Sequence, residues 1–208
     1  MKIKINYTQA AVLFNIKKPL RILKLKLPNH LEKNQVLIKN LYSGICGTQL
    51  AEFNGLKKNK KFLPHLMGHE SLGVVVQKNK NVRKVKVGDK VVTHWMNSKG
   101  KNSVNPKYFY NKKSINSGLI TTFSRHSVIS QNKLTKIPKI NIDNKTLPLF
   151  GCSLSTAYGS FLNLKKIKKN KIIAISGMGP IGINILQISK ISKPKKIIVI
   201  DINKSKLN

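Results

Sequence analysis

The stretch 171–190, KIIAISGMGPIGINILQISK, carries the strongest fold signal in this chain. It opens with a short apolar run, and a second such run, KIIVID, follows at 196–201. Runs of this kind are typical of strands buried on both faces of a parallel sheet. Between them, isoleucines recur at i, i+4 and i+7 from residue 181, which indicates one face of a helix. Strand, turn, helix and strand in this order predict a βαβ unit.

The turn inside this unit has the pattern of a dinucleotide-binding loop. Gly177, Gly179 and Gly182 have G-x-G-x-x-G spacing, and Asp201 follows 19 residues after the last of them. Such glycines allow a tight turn and close approach to a pyrophosphate, which the helix N-terminus attracts. A carboxylate at position 201 accepts hydrogen bonds from the adenosine ribose and favours NAD over NADP. The alternative interpretation is a βαβ unit that binds no ligand.

The first 150 residues have a different pattern, which predicts mostly β structure. Their β-branched runs are bounded by Gly, Asn, Lys and Pro and predict strands at 35–45, 71–78, 89–94 and 124–130. The polar, turn-rich segment 97–118 predicts a long exposed loop.

We therefore expect an α/β plus β fold in two domains: a β-rich domain over 1–150 and the start of a doubly wound parallel sheet over 151–208. Two parallel strands bury their faces poorly alone. The second domain thus has the pattern of a fragment or of a truncated gene. Apolar edges are expected to be exposed within 171–200.

The charge of the chain is strongly basic, with 40 Lys+Arg against 6 Asp+Glu and a formal net charge of +34. Such a balance favours anionic partners. However, lysine is spread over nearly every segment, and the clusters at 57–61 and 165–171 lack the interleaved aromatics of a base-stacking surface. We expect no specific nucleic-acid partner and no membrane partner, but weak, salt-sensitive adhesion to polyanions.

The cysteine count and the hydropathy indicate a cytoplasmic protein. The chain has only two cysteines, no apolar run of 18 residues, and an alternating N-terminus without the apolar core of a signal peptide. In a reducing compartment, a thiol is more often a metal ligand or a nucleophile than half of a disulfide.

Three segments contain residues that bind metals. They are GICGT with Cys46, MGHE with His69 and Glu70, and GCSLST with Cys152. Two thiolates and one imidazole with a fourth position open form a catalytic zinc set. Taken singly, each cysteine could be a small core residue and the histidine a hydrogen-bonded core group.

Together these motifs resemble the zinc-dependent alcohol dehydrogenases of the medium-chain dehydrogenase/reductase superfamily, in their N-terminal part. The matching segments run in order along the chain: GICGT (44–48), PHLMGHE (64–70), VGDKV (87–91), GCSLSTAYGS (151–160), SGMGPIG (176–182) and VIDINKSK (199–206). The resemblance implies a GroES-like catalytic domain followed by a Rossmann domain.

The resemblance also implies roles for individual residues. Cys46, His69 and Cys152 match the catalytic zinc ligands, and Glu70 matches an adjacent acid that replaces the zinc water in some states. Thr48 matches the hydroxyl that hydrogen-bonds the substrate alcohol. Zinc stabilises the alkoxide, and hydride passes between the alcohol carbon and the nicotinamide. The residues that match cofactor contacts are Thr156, Gly177, Gly179, Pro180, Ile181, Gly182, Asp201 and Lys206.

Several positions depart from the family pattern. Gln49 stands where an Asp usually orients the zinc-bound histidine, so its amide oxygen is expected to accept that N–H. Ala51 stands where some members have a relay histidine. The segment 97–118 has no cysteine, so one catalytic zinc and no structural zinc are expected. The chain is also shorter than the family, so little or no activity is expected of 208 residues alone.

Three functions remain open at this point. The first is a zinc-dependent, NAD-linked alcohol or polyol dehydrogenase that takes a small alcohol, aldehyde or ketone and whose full-length form is a homo-oligomer. The second is an inactive relic with a binding role only. The third is a cationic protein that associates with nucleic acid or membranes. The complete ligand set argues against a zinc-free reductase.

Overall fold

The computed structural model describes residues 1–56, 62–164 and 170–207 of the chain. It divides into two units, Met1–Gly151 and Cys152–Asn208. The lysine cluster at 57–61 and most of the one at 165–171 lie outside the described residues. Within the described part, no helix is long and apolar enough to cross a membrane.

The first unit is built almost entirely of β-strands. In chain order they are β1 (Tyr7–Leu13), β2 (Arg21–Lys26), β3 (Gln35–Ser43), β4 (His65–Leu66), β5 (Ser71–Lys78), β6 (Lys90–Thr93), β7 (Tyr108–Tyr110), β8 (Lys113–Ser117), β9 (His126–Ser130) and β10 (Leu134–Lys136). One short helix, α1 (Gly47–Phe53), follows β3, and 3-10 turns span Gln131–Lys133 and Leu147–Gly151.

These strands form two sheets. Strands β1, β2, β7, β8 and β4 close a barrel in that order, and a second sheet has the order β10-β6-β5-β3-β9. In β1 alternate residues point inward, so Thr8, Ala10 and Val12 are buried whereas Tyr7 and Gln9 face outward. This period of two places one set of side chains inside the barrel and the alternate set on its outer face.

The four strands predicted at 35–45, 71–78, 89–94 and 124–130 are confirmed as β3, β5, β6 and β9. The exposed loop predicted over 97–118 is wrong in its second half, where β7 and β8 form an antiparallel hairpin.

The turn of this hairpin explains the error. Asn111 and Lys112 both have positive φ, 48° and 62°, so these two polar residues form a tight hairpin turn. The polar composition of the segment predicted a loop instead. Tyr108, at the start of the hairpin, is completely buried, and its hydroxyl accepts the backbone N–H of Val128 at 2.9 Å. The hairpin is thus an integral part of the barrel core.

The second unit contains α2 (Ser153–Asn163), β11 (Ile172–Ser176), α3 (Pro180–Ser189) and β12 (Lys196–Ile200), and a 3-10 turn at Lys204–Lys206. β11 and β12 are parallel, in register from Ile172–Lys196 to Ser176–Ile200, so the predicted βαβ unit is confirmed. The predicted burial of both strand faces is wrong: Ile172 is 59% exposed and Ile200 54%. The helix α3 packs against β11 and cannot by itself cover both faces of the sheet, so the apolar exposure expected within 171–200 is present.

Candidate metal centre and nucleotide loop

Three different elements carry the predicted metal ligands. Cys46 is the N-cap residue of α1, which follows β3 along the chain, and Cys152 is the N-cap residue of α2. His69 lies in the short connection between β4 and β5. All three residues are partly exposed, although Nε2 of His69 is itself buried.

The ligand atoms of these three residues meet. The two Sγ atoms and the imidazole nitrogen all lie within 4.8 Å of one another. Zinc binds thiolate at about 2.3 Å and imidazole at about 2.0–2.1 Å, so two of its ligands lie at most about 4.6 Å apart. Small side-chain movements therefore close the group around one ion. Two sulfurs and one nitrogen with a fourth position open are the donor chemistry of a catalytic zinc.

Backbone packing fixes two of the ligands. Gly68 has a φ of 93°, so the chain can turn immediately before His69 where a side chain would strain it. Gly151 packs so closely against β6 that a Cβ atom there would collide with the carbonyl oxygen of Thr93. Since Cys152 is bonded directly to Gly151, the position of that thiol depends on this contact.

Gln49 links two of the ligands. Its side chain is 4% exposed, its Oε1 accepts the backbone N–H of Cys46 at 3.1 Å, and its Nε2 lies 2.9 Å from His69 Nδ1. The expectation that the amide oxygen faces the imidazole is therefore wrong. The oxygen is held by the helix N-terminus, so the amide nitrogen faces the ring and donates to it.

Glu70 is near the group but is not a member of it. Its carboxyl is 2% exposed, and burial raises its pKa to about 7. Among the described residues, Oε2 has no hydrogen-bond partner. A side chain on Gly44 would collide with this carboxyl group. Gly44 has no positive φ, so a glycine at this position serves to leave room for the Glu70 carboxyl group.

Thr48 lies beside the metal group, and Thr156 lies one helical turn after Cys152. The Sγ of Cys46 is 3.9 Å from Thr48 Oγ1, and this hydroxyl is on the exposed side of α1. Thr156 is in the first turn of α2, where its N–H donates to the carbonyl of Cys152 at 2.9 Å. Ala51, on α1, offers no proton-transfer group.

The glycine turn has the conformation that its spacing predicts. Gly177 has a φ of 91°, and a Cβ on Gly182 would collide with the carbonyl oxygen of Gly177, so helix and strand are in close contact. Gly179 is the N-cap residue of α3, and Pro180 follows it in the first turn. A Cβ on Gly179 would meet no atom within 4 Å, so the space before the helix is open to a ligand. Ile181 is 45% exposed in the same turn.

Asp201 closes this turn from the end of β12. Its Oδ2 accepts the N–H of Met178 at 2.7 Å and its Oδ1 that of Asn203 at 2.8 Å. Lys206 Nζ lies 3.8 Å from the carboxylate. These backbone hydrogen bonds, with the lysine, hold the pKa of Asp201 below its ordinary value. The carboxylate is therefore ionised at neutral pH and keeps further lone pairs for a ribose hydroxyl.

The sequence-based interpretation missed a hydrogen-bonded pair that involves the helix of Cys46. Glu52, one turn after Gln49 on the buried face of α1, contacts His65 with 3.0 Å between Oε2 and Nδ1. The pair ties the helix of Cys46 to β4. Its signal was present, because only six acids occur in the chain and Glu52 is one of them.

The first unit thus combines a closed barrel with a second β-sheet, and Cys46 and His69 of this unit lie within 4.8 Å of Cys152. The model of the family described as "Alcohol dehydrogenase GroES-like domain" matches residues 32–139, more than half of the chain. The chain therefore belongs to the alcohol dehydrogenase GroES-like family, and the resemblance inferred from its motifs is confirmed.

Known proteins are similar over nearly all of this chain. It is 28% identical over 225 residues to an S-(hydroxymethyl)glutathione dehydrogenase of Synechocystis sp. and 30% identical over 227 residues to one of Haemophilus influenzae. In each case 96% of the chain is covered, but only 60% and 58% of the relative. The chain thus spans about three fifths of the curated relatives it matches.

A solved structure has the same fold. It is described as an alcohol dehydrogenase zinc-binding domain protein from Burkholderia ambifaria, and it superposes with a TM-score of 0.83 at 20% identity. The superposition covers 97% of this chain and 60% of that one.

Proposed function

We propose that the chain supplies the catalytic domain (1–150) and the start of the Rossmann domain (151–208) of a zinc-dependent, NAD-linked alcohol or polyol dehydrogenase. The observation that carries this proposal is the group of Cys46, His69 and Cys152 within 4.8 Å inside an alcohol dehydrogenase GroES-like domain. The matched relatives are named as dehydrogenases and support this assignment.

One zinc per chain is the metal content we propose. Within the described ranges, the Cys-His-Cys group is the one set of three metal-binding side chains. The hairpin region 97–118 has no cysteine for a second, structural site. When bound, zinc supplies Lewis acidity toward an alcohol or carbonyl oxygen.

The side chains around the group would orient the substrate and move its proton. Thr48 is close enough to Cys46 for its hydroxyl to accept the proton of an alcohol held at the open position. Ala51 cannot pass that proton on, so the next acceptor is water at the exposed side of α1. Gln49 contacts both His69 and Cys46, so its orientation bears on the metal affinity of the group.

NAD is the cofactor we propose, and bound nicotinamide would supply the hydride chemistry. The open space before Gly179 and the start of α3 suits a pyrophosphate. The ionised Asp201 would accept a ribose hydroxyl and repel the 2′-phosphate of NADP. Thr156 and Lys206 would add further cofactor contacts.

The substrate would be a small alcohol, aldehyde or ketone. The names of the matched relatives include S-(hydroxymethyl)glutathione, which is an anionic thiol adduct. The net charge of +34 of this chain suits an anionic substrate of that kind. We further propose a cytoplasmic location, where thiols stay reduced, and a homo-oligomeric longer form.

Cobalt substitution tests the proposed site. Co(II) bound by two thiolates gives intense charge-transfer absorption, so one equivalent should produce that absorption in the purified protein and not in Cys46→Ser or Cys152→Ser. Alcohol-dependent NAD reduction, assayed in a longer form that completes the Rossmann domain, should disappear in the same variants. Full turnover in Cys46→Ser, or no thiolate absorption in folded wild-type protein, would contradict the proposal.

A further inference from the structure

A groove runs over the outer face of the barrel, remote in sequence from every metal ligand. Its centre is a row of residues on three neighbouring strands: Tyr7 pairs with Lys26, and Lys26 pairs with Phe109. Residues directly opposite one another in a sheet point to the same face. The row therefore places one lysine between two aromatic residues. The Cα atoms of Tyr7 and Phe109 are two strand spacings apart, which is about 10 Å.

This face is accessible. Tyr7 is 47% exposed, Lys26 is exposed, and Phe109 is half-buried. Phe109 points outward because its neighbours Tyr108 and Tyr110 pack into the barrel core. The aromatic pair is thus a surface feature of the barrel and is not needed to fill the core.

The groove is concave and cationic at its centre. A pocket of about 530 Å³ lies between the rings, and its lining adds Lys24 and Lys112 to Lys26. No acidic side chain lines this pocket among the residues that the structure describes. Lys24 Nζ lies 4.9 Å from the centroid of the Tyr7 ring, so a cation–π contact holds this ring at the pocket.

Two further pockets continue the groove in both directions. One shares Tyr7 and Lys24 with the central pocket and adds Arg125. The other shares Phe109 and adds Lys107, with Glu32 as the acid in its lining. Tyr7 thus lines two of the three pockets and Phe109 lines two, and each pocket has at least one cation in its lining.

We propose that this outer groove, defined by Arg125, Tyr7, Lys24, Lys26, Phe109 and Lys112, binds single-stranded nucleic acid without sequence preference. Aromatic rings on which bases stack, alternating with cations that contact phosphates, are what such binding needs. The β-hairpin unrecognised in the sequence supplies Phe109 and Lys112, and β1 and β2 supply Tyr7, Lys24 and Lys26, so the groove is formed by residues distant in sequence. A flat anionic membrane would contact lysines but would not need rings between concave pockets.

Anisotropy of a labelled oligothymidylate of about 12 nucleotides tests this proposal on the whole 208-residue protein. Tyr7→Thr should weaken binding about tenfold, because stacking contributes roughly that much per base. The matched control is Tyr42→Thr, another exposed tyrosine on a strand of the first unit, which should change affinity less than about twofold.

A second pair of variants separates phosphate contacts from diffuse charge. Lys24→Gln with Lys26→Gln should reduce the slope of log K against log salt by about 1.4, at roughly 0.7 per lost contact on a single strand. Lys139→Gln with Lys145→Gln removes the same charge from exposed positions outside the groove and should leave the slope unchanged.

Three outcomes would overturn the proposal. Equal losses in the groove and control variants would assign binding to diffuse charge. No binding of the oligonucleotide at low salt would exclude a nucleic-acid site. Binding to phosphatidylserine vesicles with none to the oligonucleotide would assign the groove to membranes. Unchanged circular dichroism in each variant shows that a loss of affinity is not a loss of fold.

Discussion

The amide nitrogen of Gln49 lies 2.9 Å from Nδ1 of His69, while the amide oxygen of the same side chain accepts the N–H of Cys46. A histidine that binds a metal through Nε2 carries its proton on Nδ1. That proton would then face the N–H donor of Gln49. Metal binding through Nε2 therefore requires the amide to rotate and to give up the Cys46 hydrogen bond.

Gln49→Glu should strengthen zinc binding, because a carboxylate of the same length can accept from both Cys46 N–H and His69 Nδ1–H. We expect zinc affinity to rise about 10–100-fold, the range found for such outer-shell partners. Chelator competition measures the dissociation constant. Gln131→Glu, which makes the same charge change away from the group, is the control. Equal affinity in wild type and Gln49→Glu would show that the amide orientation has no effect.

Zinc should also stabilise the folded chain, since the ligands come from three separate segments that meet only on folding. Adding a chelator should lower the thermal midpoint of the wild-type protein by several degrees. Cys46→Ser should already have the lower midpoint and should not respond to the chelator. A chelator effect of the same size in Cys46→Ser would show that another site is responsible.

Gly151→Ala should both destabilise the protein and weaken zinc binding, because its Cβ would collide with the Thr93 carbonyl and displace Cys152. A loss of about 1–3 kcal/mol is expected for such overpacking. Gly159→Ala is the matched control: a Cβ there meets nothing within 4 Å, and alanine favours the helix by up to about 1 kcal/mol. Urea titration of both variants measures the difference, and equal stability would refute the packing argument.

His94 should make stability depend on pH in mild acid. Burial, together with the charges of Lys84 and Lys133, holds its pKa below the ordinary value, although Met96 O accepts a hydrogen bond from the ring at 2.8 Å. As the pH falls, His94 is therefore protonated at a higher pH in the unfolded chain than in the folded chain. Stability should fall as the pH drops below about 6.5 and stop falling at the folded pKa.

His94→Gln should remove this part of the pH dependence. Urea midpoints measured between pH 7.5 and about 5 compare the two proteins. An identical slope in both would mean that another group, such as His126, whose pKa is also lowered by burial, accounts for the dependence.

The sequence predicted well what depends on local patterns. Alternating β-branched runs located β3, β5, β6 and β9, and the glycine spacing located the turn before α3. The proximity of Cys46, His69 and Cys152 was predicted from their motifs, because the residue types of a metal-ligand set can be recognised in a sequence before the fold is known.

Features that depend on contacts between distant residues were not predictable in the same way. The orientation of the Gln49 amide depends on which N–H group donates to its oxygen. The role of Gly44 depends on the carboxyl group of Glu70, 26 residues away. The hairpin of β7 and β8 was hidden because its turn residues Asn111 and Lys112 are polar. That this hairpin packs into the core is shown only by the position of Tyr108 inside the barrel.

Zinc content per chain, measured by atomic emission on protein purified without added metal, tests the central claim most directly. We predict about one zinc per chain in the wild-type protein and none in Cys46→Ser or Cys152→Ser. Folded wild-type protein without zinc, which also fails to take up the ion when it is supplied, would contradict the assignment of these three residues as a metal centre.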